Sequence, residues 1–265
     1  MAVTLEIQGA IAIITLDRPE KRNALTQAML AELERIADSL RGAGDVRAVV
    51  LRANGNDFSV GADIGEMEAR QAAPSALGPT LAEARRGAQL GARVMRALMG
   101  IDQPTICAVQ GISTGGATCI ATACDFRIAA SAARLGYGEV KIGIPLMWNA
   151  LGPLVALVGP ARAKRLVMSG ALVDAATLAG WGLIDEIVPA DDLDARALAT
   201  AADYAALPPL AVQMIKRSIN AVAHALDAAV LHADADQWLL ATRGADFAEA
   251  VAAFRDKRPG RFTGN

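Results

Sequence analysis

Two short runs rich in β-branched residues open the chain, Thr4 to Gln8 and Ala10 to Leu16, and Gly9 between them predicts a hairpin. Asp17-Arg18-Pro19 ends the second run. Thr26 then precedes apolar residues at Met29, Leu30, Leu33, Ile36, Ala37 and Leu40, the spacing of an N-capped amphipathic helix that stops near Gly42. Val46 to Leu51 is almost continuously apolar, as a strand buried on both faces would be.

Strand and helix patterns alternate from there. A helix runs up to about Met99, a strand covers Thr105 to Val109, a helix follows Gly115-Gly116 to about Cys124, and a strand covers Phe126 to Ala129. This is α/β architecture. From Ala161 onward the pattern is mostly helical, broken by Leu183 to Val188, and Pro208-Pro209 opens another helix where proline is tolerated. The expected division is an α/β core over residues 1–195 and a helical C-terminal region over 196–265. Gln71 to Pro79, rich in Ala, Pro and Gly without periodicity, reads as a mobile surface loop bordering the site.

Composition narrows the partners. A chain of 265 residues with 53% hydrophobic content buries a large core, and a net charge of −2, from 26 basic and 28 acidic residues, offers no electrostatic footprint for nucleic acid or an anionic membrane. A small-molecule partner is expected. No apolar run approaches a spanning helix, and Met1 to Gln8 lacks the features of a signal peptide, so the expected location is the cytoplasm. Cys107, Cys119 and Cys124 are odd in number and lack C-x-x-C spacing, and His224 and His232 lack an H-E-x-x-H arrangement. Neither a disulfide framework nor a metal site is expected.

Two segments can carry chemistry. The loop from Asn54 to Ile64 follows a buried strand and returns toward helix, a place where free backbone N–H groups hold an anion. The second, Gln110 to Gly116, follows another strand and opens a helix, and its two final glycines allow close approach to the backbone. It also contains Gly111-x-Ser113-x-Gly115, which matches the nucleophile elbow of α/β-hydrolases. That alternative requires His224 or His232 to reach Ser113 with an acid such as Asp185 beyond it.

Phe58-Ser59-Val60-Gly61-Ala62-Asp63-Ile64, with Val109-Gln110-Gly111, Gly115-Gly116 and Cys124-Asp125, resembles the paired signature of the crotonase superfamily, the enoyl-CoA hydratases and isomerases. Leu16 to Leu25 and Phe254 to Pro259 extend the resemblance over nearly the whole chain. The resemblance implies a ClpP/crotonase-type spiral of ββα units with a helical C-terminal region, an acyl-CoA substrate and no separate cofactor, since coenzyme A belongs to the substrate. It further implies that Ala62 and Gly116 donate two N–H groups to the thioester oxygen. Fixed donors in a dry site oppose the charge that develops there on deprotonation. The resemblance also sets CoA against Arg22, Ala24 and Leu25, against Asp63 and Ile64, and near Phe254 and Lys257. A homotrimer or a hexamer built as a dimer of trimers is implied, with the apolar stretch from His224 to Leu240 suited to an interface or to the core.

The pattern departs from a hydratase in two places. Hydratases of this family use two glutamates, and the first position is Cys119, three residues after Gly116 and so on the same helix face. A small packed thiol is the favoured reading of Cys119, since no base or cation adjoins it in sequence. The second glutamate is kept in Tyr137-Gly138-Glu139-Val140, ahead of Gly143-Ile144-Pro145, and Glu139 is the candidate acid/base. Leu146-Met147-Trp148 stands where hydratases carry a Gly-rich helix start, making Trp148 a candidate wall of the acyl pocket. One carboxylate with an oxyanion hole points to double-bond isomerisation. Hydration, with Glu66 or Asp63 standing in for the second glutamate, and non-catalytic CoA binding are the alternatives.

Overall fold

The computed structural model describes residues 2–66, 80–225, 227 and 233–265. The expected loop at 71–79 lies outside them, as does His232.

The hairpin forms as β1 (Val3–Gln8) and β2 (Ile11–Leu16), antiparallel with Val3 opposite Leu16. Behind it, α1 (Gln27–Leu40) buries the expected stripe of Met29, Leu30, Leu33, Ile36, Ala37 and Leu40, and the Thr26 hydroxyl accepts the Met29 N–H at 3.2 Å. β3 (Ala48–Ala53) runs parallel to β2. Val46 is buried but belongs to the turn before the strand, its N–H bonded to the Ala43 carbonyl; apolarity alone does not separate a buried turn from a strand.

Two helices follow, α2 (Leu81–Ala88), started by a Thr80–Glu83 capping box, and α3 (Leu90–Met99), which packs on α1. Beyond them the chain forms β4 (Thr105–Val109), β5 (Ile112–Thr114), α4 (Gly116–Ala123), β6 (Phe126–Ala130) and β7 (Arg134–Gly136). Next come α5 (Leu151–Ser169), β8 (Val173–Asp174), α6 (Ala175–Trp181) and β9 (Glu186–Val188). Helical structure therefore begins at Leu151, ten residues before Ala161, since Gly152 and Pro153 sit in the first turn, where proline costs little.

The strands make two sheets, β1-β2-β3-β4-β6-β9 and β5-β7-β8. Strands β2, β3, β4, β6 and β9 are mutually parallel, and β4 is buried throughout between helical layers. The small sheet went unpredicted, because strands of two or three residues carry no readable period.

The C-terminal part holds α7 (Leu193–Ala205), α8 (Pro209–Ala223), α9 (Asp234–Ala241) and α10 (Ala245–Asp256). Position 195 falls inside α7, whose buried Leu193, Ala197, Ala201 and Ala205 face β3 and β4. The stretch from His224 to Leu240 is not one helix, since α8 ends at Ala223 and α9 starts at Asp234. Lys216 fastens α8 to the core through a 2.6 Å pair with Asp125 and a 2.8 Å bond to the Gln103 carbonyl. Asp125 in turn accepts the Thr105 N–H and hydroxyl, both at 2.8 Å, and so secures the start of β4.

Arg127 is 2% exposed on β6. Its guanidinium donates to the carbonyls of Leu183 (2.6 Å), Cys124 (2.7 Å) and Asp125 (3.1 Å) and to Asp185 Oδ2 (3.0 Å). A buried cation is tolerated when every donor is met, and removing it strands its acceptors. Arg127→Met is therefore expected to lower unfolding free energy by about 3–5 kcal/mol, read by urea titration; a loss under about 1 kcal/mol would contradict the network's role.

Candidate active site

The site starts at a clamp. Asn23, fully buried in a left-handed conformation (φ 55), accepts the Arg18 N–H at 2.8 Å through Oδ1. Through Nδ2 it donates to the carbonyls of Asn54 (2.8 Å) and Asp57 (3.0 Å), fixing the loop after β3. Ser59 Oγ donates to the Asn23 carbonyl at 2.7 Å and accepts the Gly61 N–H at 3.2 Å. Sequence reasoning missed both residues as determinants of the site; each is 0% exposed in a loop whose neighbours are mostly exposed or half-buried, so no hydrophobic pattern marks it.

Onto this loop the second one is stitched. Phe58 N–H donates to the Gln110 carbonyl (2.8 Å), Ser59 N–H to Ile112 (3.1 Å), and Thr114 N–H back to Ser59 (3.2 Å), a parallel bridge between Ser59 and Ser113. Ala62 bridges Leu25 in the same manner: Leu25 N–H donates to the Gly61 carbonyl (2.8 Å) and Asp63 N–H to the Leu25 carbonyl (2.9 Å). The amides on either side of Ala62 are thus paired, by Ser59 Oγ and the Leu25 carbonyl, while the N–H of Ala62 and that of Gly116, the first residue of α4, find no acceptor among the described residues. The start of α4 carries no side-chain cap, so its free donors and dipole point at the site.

Glu139 faces them. It begins a 3₁₀ turn, Glu139–Ile142, and its Oε2 is buried without a hydrogen-bond partner among the described residues. The residue is half-buried but its carboxyl is enclosed, and desolvation pushes its pKa up to about 7. A Cβ added at Gly115 (φ 59) would lie 3.1 Å from Glu139 Oε1, so the glycine admits the carboxylate to the start of α4. Around these groups is a cavity of about 960 Å³, lined by Ala62, Gly115, Gly116, Glu139 and Trp148, among others.

Comparison with known proteins agrees with this geometry. Residues 6–265 match the family model described as enoyl-CoA hydratase/isomerase. The chain belongs to the enoyl-CoA hydratase/isomerase family. It is 34% identical over 219 residues to the short-chain-enoyl-CoA hydratase of Clostridium acetobutylicum, covering 82% of this chain and 80% of that one. With the crotonyl-CoA hydratase of Syntrophomonas wolfei it shares 30% identity over 261 residues, covering 98% of this chain and 97% of the other. The crystal structure of an enoyl-CoA hydratase/isomerase from Pseudoalteromonas atlantica T6c superposes with a TM-score of 0.86 at 26% identity, covering 99% of this chain and 100% of that one. The crotonase fold and an acyl-CoA-processing enzyme follow.

Within this family member the other expected site residues divide into two groups. Arg22, Leu25, Asp63, Ile64 and Phe254 line the cavity. Arg22 Nε donates to Asp57 Oδ2 at 2.7 Å, which raises the guanidinium's pKa and lowers that of Asp57 despite its partial burial. Asp63 is held below the usual carboxylate range by Arg18 at 2.7 Å and by the Glu66 N–H, and Glu66 caps the Gln27 N–H at 3.0 Å. Ala24, Cys119 and Lys257 stand outside the cavity lining. Ala24 offers its carbonyl to Arg18 at 3.0 Å, and Lys257 is the exposed, left-handed C-cap of α10.

Cys119 is 1% exposed within α4, and burial, with the negative charge of Glu139 and Asp234, pushes its thiol pKa well up. It packs as a neutral thiol. The described residues do not assemble the Ser113 hydrolase arrangement: Ser113 is fully buried with Oγ 3.1 Å from Thr118 Oγ1, Asp185 is bound by Arg127, and His224 pairs with Asp227 at 2.9 Å, while His232 lies outside the described residues. Sequence reasoning did not find Trp238, Leu239 and Thr242 of α9 and its flank, which also line the cavity; their signal was an i, i+1, i+4 stripe.

A carboxyl raised from 4.5 to about 7 gives a pH dependence of fixed sign. Below its unfolded pKa both states are protonated. As pH rises toward 7 the unfolded chain releases the proton while the folded one keeps it, so stability falls and then levels off. Glu139→Gln is expected to remove that decline, on the order of 3 kcal/mol between pH 4.5 and 8, as measured by denaturant unfolding of both proteins. Parallel pH profiles for the two would mean the titrating group is another residue.

Proposed function

We propose that the enzyme moves the double bond of an enoyl-CoA, converting a 3-enoyl to a 2-enoyl thioester, with Glu139 as the single proton carrier. The observation that carries this is the enclosed, unpartnered Oε2 of Glu139 beside Gly115, with a buried neutral thiol at Cys119 in place of a second carboxylate. Ionised Glu139 takes a proton from C2, which is acidified by both the carbonyl and the double bond. Electrons shift through C2 to the thioester oxygen, giving a dienolate whose charge faces the N–H groups of Ala62 and Gly116. Protonated Glu139 then returns the proton to C4. Atoms balance without water.

A pKa near 7 suits both halves of this shuttle, since base and acid are similarly accessible at neutral pH. Coenzyme A is proposed to lie along Arg22, Leu25, Asp63 and Ile64, with Arg22 free to offer its Nη donors to phosphate. Hydration is the second reading, favoured by the names of the relatives. Asp63 and Glu66 line the cavity but are engaged with Arg18 and the start of α1, which argues against either acting as a second water-splitting carboxylate.

We also infer self-association through α8. None of its residues is buried, and Leu210 (70% exposed), Met214 (59%), Ile219 (61%) and Val222 (81%) leave an apolar face open while Lys216 and Arg217 hold the opposite side. A homotrimer or hexamer would cover it.

With purified protein, 3-enoyl-CoA is expected to convert to 2-enoyl-CoA, and Glu139→Gln to lower kcat by about 10²–10⁴-fold with KM little changed. Fast hydration of 2-enoyl-CoA with 3-enoyl-CoA left unchanged would overturn isomerisation. By light scattering the wild type should have three or six times the mass of the chain, and Ile219→Asp with Val222→Asp should reduce it to one; a monomeric wild type would refute the assembly.

A further inference from the structure

We propose that Trp148 sets the length of acyl chain the cavity accepts, and that short-chain acyl-CoA thioesters are the substrates. The inference rests on the acyl-CoA reading above. Its ground is the position of the indole, which lies flat between two glycines on different helices. A Cβ built on Gly116 would overlap the outer edge of the six-membered ring, at Cη2 and Cζ3, and one built on Gly91 of α3 would overlap Cδ2, Cε2 and Nε1. The ring therefore spans the gap from the backbone of an oxyanion donor to α3. An acyl chain leaving a thioester whose oxygen is at the Gly116 N–H meets this wall first.

The wall is fixed by a strained turn. Trp148 and Asn149 both adopt left-handed backbone, φ 65 and 59, which side chains with a Cβ adopt only when the surroundings over-determine it. Two sets of contacts do so. On one side the ring is seated on Gly91 and Gly116; on the other, the Asn149 N–H donates to Asp234 Oδ2 at 2.7 Å. Asp234 is the first residue of α9, whose Trp238 and Leu239 line the same cavity, so the turn that aims Trp148 is tied to the opposite cavity wall. Asp234 is thus a positioning residue for Trp148. Neither glycine tolerates a side chain while the indole is there, and a smaller residue at 148 would open the space between α3 and α4 to the substrate.

Binding isolates this from the chemistry. Saturated butanoyl-, hexanoyl- and dodecanoyl-CoA, which cannot isomerise, are titrated calorimetrically into wild type, Trp148→Ala, Trp148→Phe and Asp234→Ala, each checked for folding by circular dichroism. Each newly buried methylene is worth about fourfold in affinity. Wild type is expected to gain nothing, or lose affinity, from hexanoyl to dodecanoyl. Trp148→Ala should gain at least about tenfold over the same step, with butanoyl binding little changed, and Trp148→Phe and Asp234→Ala should move the same way by less. Where the alanine variant does not fold, the phenylalanine variant carries the test. A wild type that binds dodecanoyl-CoA tenfold more tightly than hexanoyl-CoA, or folded variants with the wild-type length profile, overturns the role of Trp148 and leaves the acyl-CoA reading standing. Absence of binding for all three thioesters to wild type overturns that reading and this proposal with it.

Discussion

A backbone N–H that is to face a developing oxyanion must be denied every other acceptor, and that denial organises this protein. An unpaired donor out of contact with water costs about 1–3 kcal/mol, so the fold around it has to be held by other bonds. Around Ala62 the Leu25 bridge uses the Gly61 carbonyl and the Asp63 N–H, and leaves the one group between them open. At Gly116 the free donor comes from the start of a helix without a side-chain cap. Asn23, Ser59 and the Ser59–Ser113 bridge weld both loops to β3 and β4, so the two donors are presented by one continuous backbone ladder.

The same enclosure tunes Glu139. Desolvation, and no neighbouring anion, is the leading cause of its raised pKa, so the carboxyl is poised by the dryness that strengthens the oxyanion contacts. In the proposed reaction Glu139 becomes neutral on taking a proton as the substrate becomes the anion. In the proposed shuttle the reacting charge moves from a carboxylate lacking partners toward donors lacking acceptors. A second carboxylate beside Glu139 would disturb this balance through like-charge repulsion. The buried thiol of Cys119 leaves it intact.

Much of this was legible in the chain because it depends on local backbone chemistry. Thr26 caps α1, the apolar stripe of α1 is buried as spaced, and β4 is buried as its composition requires. Glycines at 115 and 116 drew attention to the loop because a close approach demands a small residue, whereas Glu139 was marked only by the family resemblance. What was not legible depends on tertiary contacts. The sheet of β5, β7 and β8 has strands too short for a period, Asn23 and Ser59 act through carbonyls more than thirty residues away, and α9 reaches the cavity only after the chain has folded back. Cys119 shows the limit of helical spacing: three residues after Gly116 it shares the donor's face, yet packing turns it into the core rather than the cavity.

These two kinds of information correspond to two halves of the site. The reacting groups belong to loops fixed by main-chain bonds, which tolerate little change because a slip in the Ser59–Ser113 register would re-aim both donors. The proposed acyl side is walled by side chains, from the indole of Trp148 on Gly91 to the apolar stripe of α9, joined through the bond from Asn149 to Asp234. Side-chain walls can be exchanged without moving the ladder. On the proposed reading, reaction type is set where the backbone is saturated and acyl size where packing decides, so substitutions on the acyl side should alter which thioester is held far more than what is done to it.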